Sequence, residues 1–540
     1  MVNLRIYNGQ INPTVGDIVG NTKLVLQQYN MACAQKADIC VLPEAVLCGY
    51  TPQDLILRPQ FIDDLQQATL DIVAKVENTA LFLSVPWRDA IDGQIYNAVH
   101  FIHNRKIQQT IYKQCLPNFG VMDEKRVFTV GINNKTIPFK GINIGLLVCH
   151  DTWWPEVAST LKKAGADFFI SINASPYELG KEDFRVGFCQ DRVWETGLPL
   201  LYNNLVGGQD DILFDGRSFT INPNEDAQNK FAPWATQGDV LSLVQNGALY
   251  KFEKTVASEP ALQLQENIYS ALKMGFGDYM QKSGFTKAIL GLSGGIDSAL
   301  IAAIAVDVLG AQNVTGALLP SKHTSDHSNN DALELANNLG IQTHTLPIKD
   351  TVKAITKVLE QTGDLNSVTH ENLQARARGT ILMALSNNTG ALLLTTGNKS
   401  EVAVGFCTLY GDMNGGFNII KDLYKTEVYA LSRHINRHKT IIPTHSIEKE
   451  PTPELAPGQK DSDNLPPYKI LDAILKYAIE EKLSAVQISD KGYEKETVEK
   501  VLNLLKNSEH KRYQGAPGVK IHKISFNSDW RYPLVNKYKF

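Results

Sequence analysis

Three residues in the first half of the chain could together perform acyl transfer: Glu44, Lys113 and Cys149. A carboxylate can take the proton of a thiol. The thiolate can then attack a carbonyl, and an ammonium can help to hold the oxyanion that forms. A different chemistry is offered by the second half, in KAILGLSGGIDSALIAAIAVDVLG. Ser293, Gly294 and Gly295 let the backbone approach an oxyanion closely. Ser298 and the first turn of a following helix offer N–H donors at the positive end of a dipole. This phosphate cradle is not a Walker A loop, because no Gly-Lys-Ser/Thr follows, nor is it the dinucleotide GxGxxG. Taken bare, the same residues are also surface charges, a buried apolar thiol and a glycine-rich turn.

The elements that must position them are legible as patterns. In residues 1 to about 250, short apolar runs (LRIYNG, ADICVLPEA, LFLSVPW, YNAVHFIH, KIQQTIYK, INIGLLVCHD, DFFISINAS, PLLYNNLV, RSFTIN, DVLSLVQ) read as strands. Helical patterns cover 21–35, 60–76 and 155–163. Directly successive strands at YNAVHFIHNRKIQQTIYK imply antiparallel pairing, so a mixed sheet layered with helices is expected. Glu44, Lys113 and Cys149 each end one of these runs, where sheets present side chains to a crevice. YKFEKTVASEPALQ reads as a linker. A helical pattern over 261–282 follows, then the strand, glycine turn and helix of the cradle. NVTGALLP and ALELANNLGIQTHTLPI read as a βαβ unit and hence a parallel sheet. The expected division is a first domain at 1–250, a linker at 251–262 and a second domain at 263–540.

Composition sets the outer bounds. The 540 residues are 43% hydrophobic and 20% charged, as in a folded globular chain. The formal charge, 53 − 57 = −4, gives no electrostatic footprint for nucleic acid or an anionic membrane. Seven cysteines occur with no CxxC pair, which fits reduced thiols in a cytoplasmic protein. The N-terminus has no signal-peptide pattern, and the longest apolar run, 299–309, is too short to span a bilayer.

The words around the three reactive residues are LPEAVLCGY, YKQCLPNFGVMDEKRVF, LLVCHDTWWP, NASPYELGK and NNLVGGQDDILFDGRSF. In this order they resemble the nitrilase superfamily, and more closely the glutaminase domain of the glutamine-dependent NAD synthetase family. The resemblance implies an α-β-β-α sandwich, a Glu44–Lys113–Cys149 triad, and L-glutamine bound by Phe119, Ser175 and Lys181. Two departures stand out. The family usually has Glu after the nucleophile, where this chain has His150, and it often has Tyr at the position of Phe119. If Cys149 and His150 lie on an extended segment they point to opposite sides. Glu44 is therefore kept as the base, and His150 is read as lying behind the site or in the core.

In the second half, SGGIDS resembles the pyrophosphate-binding loop of ATP-pyrophosphatases, and LLPSKHTSDHS, ENLQARARG, LLLTTGNKSE, TLYGDMNGGF, DNLPPY and EHKRYQGAPGVK resemble NAD synthetase in particular. The fold implied is α/β, a doubly wound parallel sheet of the adenine nucleotide alpha hydrolase-like type. ATP would lie against Gly291, Leu292, Ser293, Gly294, Gly295, Ile296, Asp297, Ser298 and Thr396. Asp297 and Glu401 would hold Mg²⁺, since carboxylates beside a triphosphate suit that hard cation. Deamido-NAD would be contacted by Asn372, Arg376, Glu401 and Lys511. The proline-rich stretch 444–468, expected to hold no regular element, reads as a mobile lid, and the loop 206–216 as a second movable segment. The resemblance also implies a homo-oligomer. The expected activity is ATP-dependent amidation of deamido-NAD through an adenylate, with ammonia from glutamine. A carbon–nitrogen hydrolase whose second half only senses a nucleotide is the alternative, against which the intact Asp297 and Glu401 argue.

Overall fold

The computed structural model describes residues 3–538 apart from Asn133 and Ala248. The chain divides after Leu262 into two compact units.

The first unit contains β1 (Asn3–Gln10), β2 (Ile39–Val41), β3 (Ala80–Arg88), β4 (Ile95–His103), β5 (Lys106–Tyr112), β6 (Asn118–Phe119), β7 (Met122–Asp123), β8 (Ile137–Phe139), β9 (Ile142–Val148), β10 (Phe168–Asn173), β11 (Leu200–Asn204), β12 (Val206–Gln209), β13 (Ile212–Asp215), β14 (Phe219–Ile221), β15 (Gln237–Asn246) and β16 (Leu249–Phe252). Its helices are α1 (Ile18–Ala34), α2 (Pro59–Val73), α3 (Pro155–Lys163) and α4 (Lys181–Thr196). One sheet runs β16-β15-β1-β2-β3-β4-β5 and the other β14-β11-β10-β9-β8. β1, β2 and β3 pair in parallel, as do β9, β10 and β11, and β4 pairs with β5 antiparallel, as the sequence implied.

Alternation along the strands builds three layers of core. Leu4 and Ile6, Ala80 and Phe82, and Ile144, Leu146 and Val148 meet between the sheets. Their neighbours Tyr7, Leu81 and Leu83 turn outward onto Val25, Tyr29 and Leu65 of α1 and α2. On the far side, Leu147, Phe169 and Leu200 meet Val157, Leu161 and Val193 of α3 and α4. A side-chain period of two on each strand therefore yields the α-β-β-α sandwich.

The first boundary needs correction. β16 extends the sheet to Phe252, so residue 250 lies inside a strand. The backbone beyond it is tied to this unit, with Arg217 donating to the carbonyls of Glu259 and Pro260. The loop expected at 206–216 is the hairpin β12–β13, because residues 206–209 pair one for one with 215–212 across Asp210 and Asp211.

His100, on β4, gives this unit a pH dependence. Its Nδ1 lies 2.9 Å from Thr110 Oγ1, and Nε2 is buried without a hydrogen-bond partner. Burial pushes its pKa from 6.5 down to about 4. The unfolded chain thus binds a proton that the folded chain refuses between these values. The stabilisation is complete above about pH 6.5 and is lost as pH falls toward 4. His100→Gln should flatten that slope, by a difference on the order of 3 kcal/mol across the window. Urea unfolding at pH 4.5 and 7.5 reads it through tryptophan emission, since Trp530 alone of six tryptophans lies outside the first unit. Equal slopes in variant and parent would refute it.

The second unit has β17 (Ala288–Gly291), β18 (Val314–Leu318), β19 (Gln342–Thr345) and β20 (Leu392–Leu394). Its helices include α5 (Leu264–Lys282), α6 (Ile296–Leu309), α7 (Asp326–Leu339), α8 (Lys349–Leu359), α9 (Ser367–Thr389), α10 (Lys399–Val404), α11 (Lys425–Ile435), α12 (Thr444–Glu448) and α13 (Tyr468–Ile479). All strand pairs are parallel, in the order β19-β18-β17-β20. The chain moves outward from β17 through β18 to β19, then returns to β17's other side as β20. That reversal is a topological switch point, where ligands of such sheets bind beyond the strand C-termini.

Candidate active sites

In the first unit, Glu44 lies in the turns after β2, Lys113 follows β5 directly, and Cys149 follows β9 directly. All three are buried. Lys113 Nζ sits 2.7 Å from Glu44 Oε1. Asn97 donates to the same oxygen at 2.8 Å, and the Ala174 N–H donates to Oε2 at 3.0 Å. Burial and the Glu44 charge push the thiol well above its usual range, so it is a neutral thiol at rest. For this thiol to act as a nucleophile a base would have to remove its proton, and the Glu44 carboxylate, whose charge helps to raise it, lies in the buried cluster with Lys113. Cys149 has φ +47°, a left-handed conformation costing a non-glycine residue on the order of 1 kcal/mol. The strand gives way there to a 3-10 turn, Cys149–Trp153. Asp151 pins that turn by accepting the N–H groups of Gln114 at 3.1 Å and Cys115 at 2.7 Å. The turn that carries Cys149 and the segment following Lys113 are thereby fixed to each other.

Glu124 had no assigned role in the sequence, although its word was singled out. Its Oε1 accepts from Lys113 at 2.9 Å and from the Tyr50 hydroxyl at 2.9 Å, and its Oε2 is buried without a hydrogen-bond partner. Burial pushes this carboxyl upward against the pull of Lys113. The signal in the sequence was an acidic residue inside an otherwise matching motif, but only the fold brings it to the ammonium.

The expected glutamine contacts fall in two places. Phe119, on the β6–β7 hairpin, has its ring 5.4 Å from His150 and 6.0 Å from Trp153. Lys181 Nζ lies 5.3 Å from the Trp153 ring. Ser175 is buried on the loop after β10, one residue beyond the Ala174 N–H that reaches Glu44. The reason given for setting His150 aside needs correction, because Cys149 and His150 are in a 3-10 turn and not on an extended segment. His150 is instead held among the rings of Phe119, Trp153 and Trp154. Burial and Lys113 push it down to about 4, so it is neutral near pH 7. Its Nδ1 has no hydrogen-bond partner.

In the second unit the cradle occupies the switch point. Gly294 has φ +73°, and a Cβ there would come within 2.2 Å of the Ser328 carbonyl oxygen, so only glycine fits. The Gly295 N–H donates to Ser293 Oγ at 3.1 Å, and Ser298 Oγ donates to the Gly295 carbonyl at 3.0 Å. Asn398, capping α10, donates to Asp297 Oδ1 at 3.0 Å. This joins the first turn of α6 to the loop after β20, which carries Thr396. Lys425 is buried between Asp297, at 2.5 Å, and Glu401, at 3.1 Å. Burial raises Glu401 above the usual carboxylate range, and its two carboxylate partners hold Lys425 charged. Asn372 accepts from Thr408 at 2.9 Å, Arg376 donates to the Leu409 carbonyl at 3.2 Å, and Lys511 donates to the carbonyls of Gly405 and Cys407 at 2.7 Å each. Residues distant in sequence thus converge on the loop 405–409.

Two family models match the chain, one for carbon-nitrogen hydrolase over residues 7–242 and one for NAD synthase over residues 268–515. A glutamine-dependent NAD(+) synthetase from Rhodobacter capsulatus is 42% identical, covering 99% of both chains. One from Synechocystis is 40% identical over 98% of both. The solved structure of glutamine-dependent NAD+ synthetase from Acinetobacter baumannii in complex with ADP superimposes with a TM-score of 0.80 at 38% identity, over 99% of both chains. The chain belongs to the glutamine-dependent NAD(+) synthetases.

Membership in the synthetases makes the bare hydrolase reading the weaker one, since the NAD synthase match takes up most of the second unit. Lys425 was missed in the sequence of this synthetase. A lysine at a helix start has no local mark, and its partners are 128 and 24 residues away. The stretch 444–468 also differs from expectation. α12 occupies Thr444–Glu448, and Asp461–Asp463 forms a 3-10 turn, because the prolines begin only at Pro451. Ser446 donates to the Gly294 carbonyl at 3.0 Å, and Glu454 accepts from Ser325 at 2.9 Å and Ser328 at 2.7 Å. This part of the synthetase is therefore seated on the cradle and on the first turn of α7.

Proposed function

We propose that this synthetase amidates deamido-NAD to NAD⁺ by way of an adenylate, using ATP and the ammonia released from glutamine. The observation carrying the reading is Lys425, buried between the part-exposed carboxylates of Asp297 and Glu401 beside a glycine cradle at a switch point. A carboxylate is a poor electrophile; its attack on the α-phosphate of ATP would expel pyrophosphate and give a mixed anhydride, from which ammonia would displace AMP to form the amide. Glycine backbone and Lys425 would hold the phosphates, with Thr396 facing ATP. Asn372, Arg376, Glu401 and Lys511 would meet deamido-NAD around the loop 405–409. The stretch 444–468 would act as the cover that keeps water from the adenylate.

Asp297 and Glu401 offer hard oxygen donors, and two carboxylates against one ammonium leave a negative charge that a dication can balance. Both residues would hold Mg²⁺, which would supply positive charge to offset that of the phosphates. In the first unit Glu44 would accept the Cys149 proton and return it to the departing nitrogen, so that ammonia leaves as Cys149 forms a glutamyl thioester. Water would then release glutamate and restore the thiol, with Lys113 holding the oxyanion. Glu124 would share the Lys113 charge, and Phe119, Ser175 and Lys181 would seat glutamine. Among the described residues no helix is long and apolar enough to cross a membrane. The seven free cysteines support a cytoplasmic location, and the family resemblance supports a homo-oligomer.

Pyrophosphate release should depend on deamido-NAD and on Mg²⁺, and should occur with either glutamine or ammonia. Release without deamido-NAD, or glutamate formation with no pyrophosphate at all, would overturn this reading.

A further inference from the structure

We propose that Arg185 is a positioning residue of the glutaminase reaction, fixing the loop 174–176 so that the base and the glutamine seat stay in register. The proposal rests on Ser175 contacting glutamine, as read above.

Arg185 projects from α4 and is 1% exposed. Each of its three nitrogens has a partner. Nε donates to Ser175 Oγ at 3.1 Å. One terminal nitrogen donates to the carbonyls of Ser175 at 3.2 Å and Pro176 at 3.3 Å, and the other to Asp215 Oδ1 at 2.6 Å. A rigid planar fork can reach the loop on one edge and the end of β13 on the other, which the point charge of lysine cannot do. The same loop runs directly into the site. The Ala174 N–H donates to Glu44 Oε2 at 3.0 Å, and the Glu44 N–H donates to the Asn173 carbonyl at 3.3 Å. The Ser175 N–H is fixed by Asn204 at 2.9 Å.

Three consecutive residues thus link a buried guanidinium to the carboxylate that must deprotonate Cys149. Arg185 has no lone pair, so Ser175 Oγ accepts from it. The hydroxyl proton is then left for another acceptor, such as the carboxylate of a seated glutamine. A buried ion pair is a poor source of stability compared with apolar packing. Arg185 is accounted for by the geometry that it imposes.

The experiment compares Arg185→Lys and the milder Asp215→Asn with the parent full chain. Readouts are KM for glutamine, kcat, and the rate at which iodoacetamide alkylates Cys149, followed by mass spectrometry. In Arg185→Lys we expect KM to rise about tenfold, kcat to fall about tenfold and alkylation to slow, because small displacements of reacting groups carry large rate costs. Asp215→Asn should show the same pattern more weakly. Ammonia-dependent synthesis should not change. If both variants only melt at lower temperature while KM, kcat and alkylation remain at parental values, Arg185 is a packing residue and the proposal fails. If Arg185→Lys does not fold, Asp215→Asn alone decides. Should alkylation of Cys149 in the parent leave glutamine use intact, the fault lies with the assignment of the nucleophile and not with Arg185.

Discussion

Cys149→Ala is expected to abolish NAD⁺ formation from glutamine while leaving formation from ammonia near the parental rate. The thiol is the sole nucleophile proposed for the amide, and burial keeps it protonated until Glu44 acts. Removing it leaves Glu44, Lys113 and Glu124 with no atom to activate. A loss of ~10⁴-fold or more is in line with deletion of a covalent nucleophile. The ammonia reaction should survive because the adenylating residues lie after Gln263, in a unit with its own cores around Leu393 and Leu475. Cavity formation is modest, since the change deletes one sulfur atom. NAD⁺ would be quantified with saturating glutamine and, separately, with ammonium at alkaline pH. Loss of both activities in a well-folded variant would sink the two-site reading.

Asp297→Asn and Glu401→Gln should impair synthesis with either nitrogen source while sparing glutamine hydrolysis. Each change keeps the shape and removes one of the two charges flanking Lys425. Loss of several kcal/mol of charge stabilisation at the phosphates corresponds to a fall of ~10²–10⁴-fold in pyrophosphate release. Either single change leaves Lys425 paired with the remaining carboxylate, so little stability should be lost, and thermal unfolding followed in parallel checks this. The double variant Asp297→Asn/Lys425→Met would leave Glu401 without its cation, so it should be less stable than Asp297→Asn and equally inactive. Near-parental pyrophosphate release in either single variant, at saturating Mg²⁺, would mean that the metal is held elsewhere.

Much of the local structure was legible because it depends on near neighbours. Alternation in INIGLLV marked β9, whose Ile144 and Leu146 face one layer and Leu147 another. The all-apolar run after SGGIDS marked α6, which is buried through most of its length. Boundaries were less legible where pairing decides them. Nothing local separates LYKF from a linker, but β15 supplies the partner that makes it a strand. His150 was judged on strand geometry, yet the chain leaves the strand at Cys149, where φ turns positive.

The sequence by itself determined which chemistries were available: a thiol, a carboxylate and an ammonium at the ends of apolar runs, and a glycine turn before a buried helix. Those are properties of residue type and of spacing within a few positions. Only the tertiary structure decided which groups share a proton or a charge. Glu44, Lys113 and Cys149 come from two sheets, and their meeting depends on strand order. Glu124 joins Lys113, Lys425 enters between Asp297 and Glu401, and Arg185 reaches Asp215 and Ser175, none of which is encoded within one helical turn or one strand repeat. The physical reason is that burial makes each of these charges costly unless a partner is supplied, and packing alone determines where that partner comes from.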